Sequence, residues 1–286
     1  MIIKNKPTTN EHFIPQCYLK QFSQDNKHIY QIDMSDEKLT QKRVSTESIC
    51  YEKNLYEFKN ESGDFMQRNL IEKSLSVFEA DYINILRSIQ SKAAHEENFH
   101  TLCFLSKNEK KSLVFFLSTM VLRKPENIKA AQETTMEVLG DLVTETTARN
   151  WALQYCLPIT KEIKLGEKNL LNSFCSLFDN MAFQIGIADK DQLLTSDVPV
   201  ILFEGDKPNK IHSAIFTLSP QLVLYMKKYE TTKKELRNRL VYLEISDIEF
   251  INNSIIKRSN RWIYSKYPLS KNKINQIVKL RKDINI

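Results

Sequence analysis

Apolar and polar positions alternate along this chain with two different periods, and the change of period divides it. The stretch HFIPQCYLKQF, from His12 to Phe22, places Ile14, Tyr18 and Phe22 at i, i+4 and i+8, one stripe of a short helix. Pro15 suits the first helical position, where a missing N–H costs nothing, and it holds Ile14 extended. His12 therefore stands just outside an anchored turn. HIYQIDMSDEKLTQKRV then alternates around a Ser-Asp-Glu turn, which predicts a β-hairpin from Ile29 to Val44. ICYEKNLYEF is aromatic and β-prone and reads as a further strand or a covering loop.

Helical spacing follows. Leu70, Ile71, Leu75, Phe78, Tyr82, Ile85 and Leu86 mark one helix, with Glu72 and Glu79 on the same side of it. SKNE, Ser106 to Glu109, reads as a capping box that opens a second helix. Pro125 interrupts it, Gly140 breaks the next long helical stretch, and Pro158 breaks the pattern again before KEIKLGEKNLLNSFCSLFDN resumes it.

From Met181 the period falls to two. MAFQIGIAD, TSDVPVILFE, HSAIFTLSP and LVLYMKK predict strands. Thr231 to Leu240 reads as a short charged helix, and Ser246 with Glu249 as the cap of a later one. RWIYSK is a closing strand, and the tail beyond it is basic and polar. The pattern predicts an α+β fold: a β-hairpin near the start, a helical middle and a β-rich final third on a shared core. The early hairpin is expected to pack near the later strands. One domain over residues 1–286 is the expectation, and a subdivision into a mainly helical 1–180 and a β-rich 181–286 is the alternative.

Composition narrows the function classes. Charged residues are 27% and hydrophobic ones 42%, an ordinary globular balance. Five glycines leave no Gly-rich phosphate loop. No apolar run approaches the roughly 20 residues that span a bilayer, and MIIKNKPTTNEHF has no apolar core of signal-peptide length, so a cytoplasmic protein without a membrane partner is expected. Cys17, Cys50, Cys103, Cys156 and Cys175 are scattered, odd in number and without CxxC spacing, which argues for buried thiols rather than disulfides or zinc. The net charge of +6 is uneven: Lys227 to Ile286 holds 15 Lys+Arg and 6 Asp+Glu, a net of +9. Such asymmetry suits an anionic partner such as nucleic acid or nucleotide, or simply a solvated basic face.

Known catalytic motifs are missing: no P-loop, GxGxxG, GxSxG, HExxH or HNH spacing occurs. Any site must be assembled from distant segments. Among five histidines, His95 and His100 sit in a polar connection, while His28 and His212 open strands; His12 alone has constrained backbone around it. An ordinary imidazole titrates near neutrality, so His12 fits a general acid or base, against the plainer role of satisfying loop carbonyls. In TSDVPV, Asp197 could orient a histidine or take a substrate hydroxyl, although Ser-Asp-x-Pro is also a good turn. Arg123, directly after VFFLSTMVL, is expected to be partly buried and paired, either as a fork for phosphate or in an ion pair with Glu72 or Glu79. Arg261, between a helix and WIYS, poses the same choice.

Taken in order, HFIPQCYLKQF, NLYEF, FFLSTMVLRKPENI, LLTSDVPVILF, FTLSP and INNSIIKRSNRWIYS resemble the DUF4238 family, from His12 to about Lys266. The resemblance implies a shared fold and a shared polar cluster drawing on His12, Gln16, Tyr18, Arg123, Thr195, Ser196 and Asp197, with Asn253 and Arg261. Either Asn252 or Asn253 matches the family's helical asparagine. The family is one of unknown function, so the resemblance implies no activity.

These residues favour a nuclease or another hydrolase of phosphodiester or nucleotide substrates, a bacterial defence or toxin effector in setting. His12 would move the proton, Asp197 and Arg123 would complete the catalytic group, and Gln16, Tyr18, Thr195, Ser196, Asn253 and Arg261 would hold substrate. No metal-ligand set is assigned, although Mg2+ is the cofactor such a hydrolase admits. A lower-ranked reading is a metal hydrolase using Glu72, Glu79 and Asp197. The alternative is a non-catalytic module that binds a ligand or a protein, in which the polar cluster is structural; the long helices with apolar faces would also suit a homodimer.

Overall fold

The computed structural model describes residues 8–36, 38–95, 104–159, 169–205 and 211–282. In chain order the elements are β1 (Asn10–His12), α1 (Gln16–Leu19), β2 (His28–Asp33), β3 (Gln41–Ser45), β4 (Tyr51–Lys53), α2 (Leu70–Ala93), α3 (Lys107–Leu122), α4 (Pro125–Leu139), α5 (Glu145–Cys156) and α6 (Leu170–Ser176). There follow β5 (Met181–Ile187), β6 (Thr195–Ser196), β7 (Val200–Glu204), β8 (Ile211–Thr217), β9 (Leu222–Lys228), β10 (Arg239–Tyr242), α7 (Ile245–Arg258), β11 (Trp262–Ser265) and α8 (Lys271–Lys282). The class is α+β, with strands at the start, helices in the middle and strands again in the last third.

The chain forms two compact units interleaved along the sequence. The first takes the described residues within Met1–Pro15, Cys50–Asn84 and Lys111–Ser176; the second takes those within Gln16–Ile49, Ile85–Lys110 and Leu177–Ile286. One boundary falls between Pro15 and Gln16, inside the opening motif.

In the first unit a two-stranded ribbon, β1 with β4, pairs antiparallel with His12 opposite Tyr51. The helices carry the core: Leu55, Phe58, Ile71, Leu75, Leu122, Ile128, Leu153 and Leu171 form one buried cluster. Tyr82 of α2 stacks on Phe116 of α3, with centroids 4.1 Å apart, an aromatic pairing that adds to the burial of both rings. Pro125 sits at the start of α4, and Gly140 ends that helix with a φ of 55°, the left-handed conformation that a glycine adopts without steric cost. The Thr144 hydroxyl then accepts from the Thr147 N–H at 3.1 Å and starts α5.

In the second unit β3-β2-β11-β6 form a four-stranded antiparallel sheet, and β10-β5-β9-β8-β7 a five-stranded one in which only β10 and β5 run parallel. The predicted hairpin has Ile29 opposite Val44, and it pairs with the late strand β11. The SKNE capping box is present too: the Ser106 N–H donates to Glu109 Oε2 at 2.7 Å, and the Glu109 N–H to Ser106 Oγ at 3.2 Å. Helix α7 buries Ile248, Ile251, Ile255 and Ile256 against Leu193, Ile201, Ile215, Val223 and Ile263. Each such isoleucine contributes about 1.5–3 kcal/mol by leaving water.

His12 ends β1, just outside α1. Three readings of the sequence are corrected. The charged stretch Thr231–Leu240 is not a helix: it holds short 3-10 turns at Tyr229–Thr231 and Lys234–Leu236 and then enters β10, whose apolar Leu240 reaches the core. Helix α7 begins before Ser246, because the Asp247 carboxylate accepts from the Glu244 N–H at 3.0 Å and fixes the start two residues earlier. The basic tail forms α8, with Ile277 fully buried and Ile274 and Val278 packed beside it, an i, i+3, i+4 stripe thin enough to be hidden among lysines. Of the cysteines, Cys17, Cys50, Cys156 and Cys175 are in no disulfide, Cys50 and Cys156 buried and Cys17 and Cys175 partly so; Cys103 and His100 lie outside the described residues, as do residues 160–168 of the stretch after Pro158. No helix among the described residues is long and apolar enough to cross a membrane.

Candidate functional site

His12 and Arg123 belong to the first unit; Gln16, Tyr18, Thr195, Ser196, Asp197, Asn253 and Arg261 belong to the second.

In the first unit Arg123 follows the last turn of α3 and is 1% exposed. All three nitrogens of its guanidinium donate to fixed partners: Nη1 to Glu79 Oε1 at 2.9 Å, Nε to the Tyr56 hydroxyl at 3.2 Å, and Nη2 to the main-chain carbonyl of His12. Burial works against the charge, but Tyr56, Glu79 and Glu72 outweigh it and hold the guanidinium above its ordinary pKa. Of the two acids on one side of α2, Glu79 makes the ion pair. The Tyr56 hydroxyl donates to the Arg123 carbonyl at 3.0 Å, with the His12 carbonyl 3.3 Å away as a second acceptor. Two buried side chains thus converge on the backbone of His12. Its imidazole is half-buried and packs tilted against Tyr51, with centroids 5.5 Å apart.

Behind this clamp lie three glutamates. Glu11 is fully buried, and its Oε2 accepts from the Tyr56 N–H at 2.6 Å. Burial, eased in part by that N–H and reinforced by Glu57, pushes its carboxyl up to about 8. Burial also raises Glu72, to about 7. Glu57 is 1% exposed and accepts from the Asn69 N–H at 3.0 and 3.2 Å. Sequence reasoning missed Tyr56, Glu11 and Glu57. The signals were the buried run LYEF around Tyr56 and Glu57, and the strand alternation Asn10-Glu11-His12, which turns Glu11 inward.

In the second unit TSDVPV is a corner. Thr195 and Ser196 form β6 on the edge of the four-stranded sheet, and Asp197 is 5% exposed. Its Oδ1 accepts from the Asn260 N–H at 3.0 Å, and its Oδ2 from the N–H groups of Arg261 at 2.8 Å and Trp262 at 3.2 Å. Three successive backbone donors make an anion-binding concavity, here filled by the chain's own carboxylate, and so the strand entry at β11 is fixed. Tyr18 is fully buried; its hydroxyl lies 2.6 Å from Thr195 Oγ1 and 3.2 Å from Thr217 Oγ1, and its ring stacks on Phe216. Ser196 Oγ donates to the Val198 carbonyl at 3.0 Å. Arg261 holds Asp33 with Nη2 at 2.8 Å, a pair that faces solvent.

The two asparagines differ in burial. Asn252 is 2% exposed, its Oδ1 accepting from the Leu194 N–H at 2.9 Å and its Nδ2 donating to the Gln192 carbonyl at 3.0 Å. Asn253 is half-buried beside Gln276, 3.4 Å away. Gln16 opens α1 and is half-buried.

The guanidinium of Arg123 and the carboxylate of Asp197 are therefore turned to internal partners rather than to a substrate. No group of three or more His, Cys, Asp or Glu among the described residues is placed to hold a metal ion; Glu72 and Glu79 lie in one unit and Asp197 in the other. A cavity of about 970 Å3 in the first unit is lined by α3, α4 and α5, with Leu122, Ala131, Val138, Trp151 and Tyr155 on its walls, and it includes none of the clamp residues.

No curated protein and no solved structure matches the chain. The family model described as protein of unknown function (DUF4238) matches residues 10–267, and the chain belongs to that family.

Proposed function

We propose that the chain is a hydrolase of phosphodiester or nucleotide substrates in which His12 is the acid–base group and Arg123 and Tyr56 are positioning residues. The observation that carries this reading is the direction of the clamp. A buried arginine is costly to desolvate, and one of the three bonds this one makes, together with the longer contact of the Tyr56 hydroxyl, goes to the main-chain carbonyl of His12, a residue that is itself only partly buried. Fixing the backbone under a reacting side chain is how a site is preorganised. In the reaction, neutral His12 takes a proton from the attacking hydroxyl or water, and the imidazolium returns one to the leaving oxygen. Nucleic acid is the favoured partner because the +9 of residues 227–286 draws polyanions to the molecule, with affinity falling as salt rises. Asp197 acts through the backbone it pins.

A second reading is supported by a specific observation. Asp197, Tyr18 and Thr195 are buried and bonded inside the second unit, as a non-catalytic module with a braced fold requires. One comparison separates the two. Parent protein and His12→Gln are melted and then incubated with labelled RNA, DNA and nucleotides, with Mg2+ or with EDTA. The hydrolase reading predicts turnover by the parent, a loss of about 10²-fold or more in the variant, and melting midpoints that coincide. A parent inert on all substrates, or a variant that retains full turnover, supports the module.

A further inference from the structure

Helix α4 buries little of itself in the core. Of the 15 residues of Pro125–Leu139, Ile128 is the one that is buried. Ala130, Thr134 and Val138, at i, i+4 and i+8, instead line the cavity of about 970 Å3 in the first unit. The charged residues of the helix, Glu126, Lys129, Glu133 and Glu137, are exposed and lie off the wall, and Lys129 pairs with Glu133 at 3.5 Å. Helix α5 adds Trp151 and Tyr155, one turn apart, and α6 adds Phe174. Trp151 is 45% exposed and Tyr155 48%. Large rings grouped in one concavity, rather than scattered singly, mark a binding surface.

The chemistry of the wall selects the occupant. Among the described residues no charged side chain lines it, in a chain of which 27% is charged. Several of its donors are already engaged within the chain. Thr134 Oγ1 donates to the Ala130 carbonyl at 2.9 Å, Thr135 Oγ1 to the Ala131 carbonyl at 2.8 Å, and Asn127 Nδ2 to the Val121 carbonyl at 2.6 Å. Gln154 and the Tyr155 hydroxyl, both at exposed positions of α5, are the polar groups available to orient an occupant. A charged molecule entering this space loses hydration and meets no opposite charge, whereas a neutral apolar one gains by leaving water. The volume falls within the roughly 300–1,000 Å3 of sites that take one small molecule, and an apolar lining with few polar groups is their usual make-up.

We propose that this cavity binds one uncharged aromatic small molecule, its ring system laid against Trp151 and Tyr155 and its polar edge turned to Gln154. Offset stacking and edge contacts on two such rings add to the burial of the ligand's own apolar surface. Nothing in this site depends on the hydrolase reading, since the cavity includes none of the residues that clamp His12.

The test uses two dyes with one framework. N-phenyl-1-naphthylamine is neutral and built of two aromatic units; 1-anilinonaphthalene-8-sulfonate is the same molecule with a sulfonate. Each is titrated into the full chain and followed by its fluorescence, and the melting midpoint of every variant is recorded. Saturable binding of the neutral dye at one per chain is expected, with the sulfonate weaker by about tenfold or more. Thr134→Phe sets a ring into the space from an exposed position and should weaken the neutral dye by about tenfold or more while melting with the parent. Trp151→Leu keeps the wall apolar but removes the ring, and should cost about two- to tenfold, the worth of an aromatic pair. Val138→Lys, at a position 76% exposed, places a cation at the wall and should narrow the gap between the dyes by favouring the sulfonate. If Thr134→Phe fails to fold, Ala130→Leu, also at an exposed position, takes its place with the same expected direction. Equal affinity of the two dyes for the parent, binding that does not saturate, or neutral-dye affinity unchanged in these variants overturns the proposal. So does a concentration-dependent dimer of the parent that Val138→Lys abolishes, because a second copy of the chain then covers these helices.

Discussion

Replacing Arg123 with methionine is expected to cost about 3–5 kcal/mol, the range found when one partner of a buried charge pair is removed. The methionine keeps the volume of the stem but gives the His12 carbonyl and the Tyr56 hydroxyl no donor, and both stand in a buried setting. Glu79 is less affected, because its side chain is 25% exposed and can turn to water. For a chain of this size the loss corresponds to a fall of about 10 °C in melting midpoint. Arg123→Lys should recover only part of it. An ammonium restores the charge toward Glu79 but lacks the planar fork that reaches three acceptors at once. Chemical denaturation of the three proteins checks this, and a loss below about 1 kcal/mol in Arg123→Met would mean that the clamp carries little weight.

Asp197→Ala is the second large effect, at about 2–4 kcal/mol. Three N–H groups, those of Asn260, Arg261 and Trp262, lose their common acceptor. Asn260 and Arg261 are exposed, so water replaces part of what is lost, and the cost stays below that of three sealed donors. Asp197→Asn discriminates between a charge role and a shape role. Its amide NH2 would point a donor at backbone donors, so it should lose at least half of what the alanine loses. An asparagine variant as stable as the parent would contradict the assignment of both carboxylate oxygens to backbone N–H groups.

What was legible in the sequence was local. The hairpin showed because alternation and turn chemistry sit within one window, and Ile29 opposite Val44 follows from them. The Ser106–Glu109 box, the Pro125 start and the Gly140 stop are likewise signals carried by neighbours. The candidate residues were legible only halfway. Arg123 and Asp197 were conspicuous as polar groups set against apolar runs, but their partners lie 111 and 63 residues away. Those two partners are a main-chain carbonyl and a main-chain N–H, groups that every residue has and no residue type announces; the side-chain partner Glu79 was among the acids the helical spacing offered to Arg123. The choice between a substrate-binding arginine and an internal one could not be read from spacing. The cap of α7 shows the same limit at short range. Ser246 with Glu249 and Glu244 with Asp247 have equal spacing, and burial of Ile248 and Ile251 is compatible with either start. Helix α8 was hidden for another reason: a single fully buried residue, Ile277, with Ile274, Val278 and Leu280 partly buried beside it, anchors a helix whose other residues are lysine, arginine, asparagine and glutamine.

The central claim is that the buried arginine serves to fix the strand under His12, and amide hydrogen exchange on Arg123→Met tests it most directly. The Phe13 N–H, bonded to the Cys50 carbonyl at 2.8 Å, and the amides of β1 should exchange at least about tenfold faster than in the parent, while helix α5 in the same unit keeps its relative protection. Equal loosening of β1 and α5, or a β1 as protected as before, would show that Arg123 supports the fold in general and does not hold His12 in place.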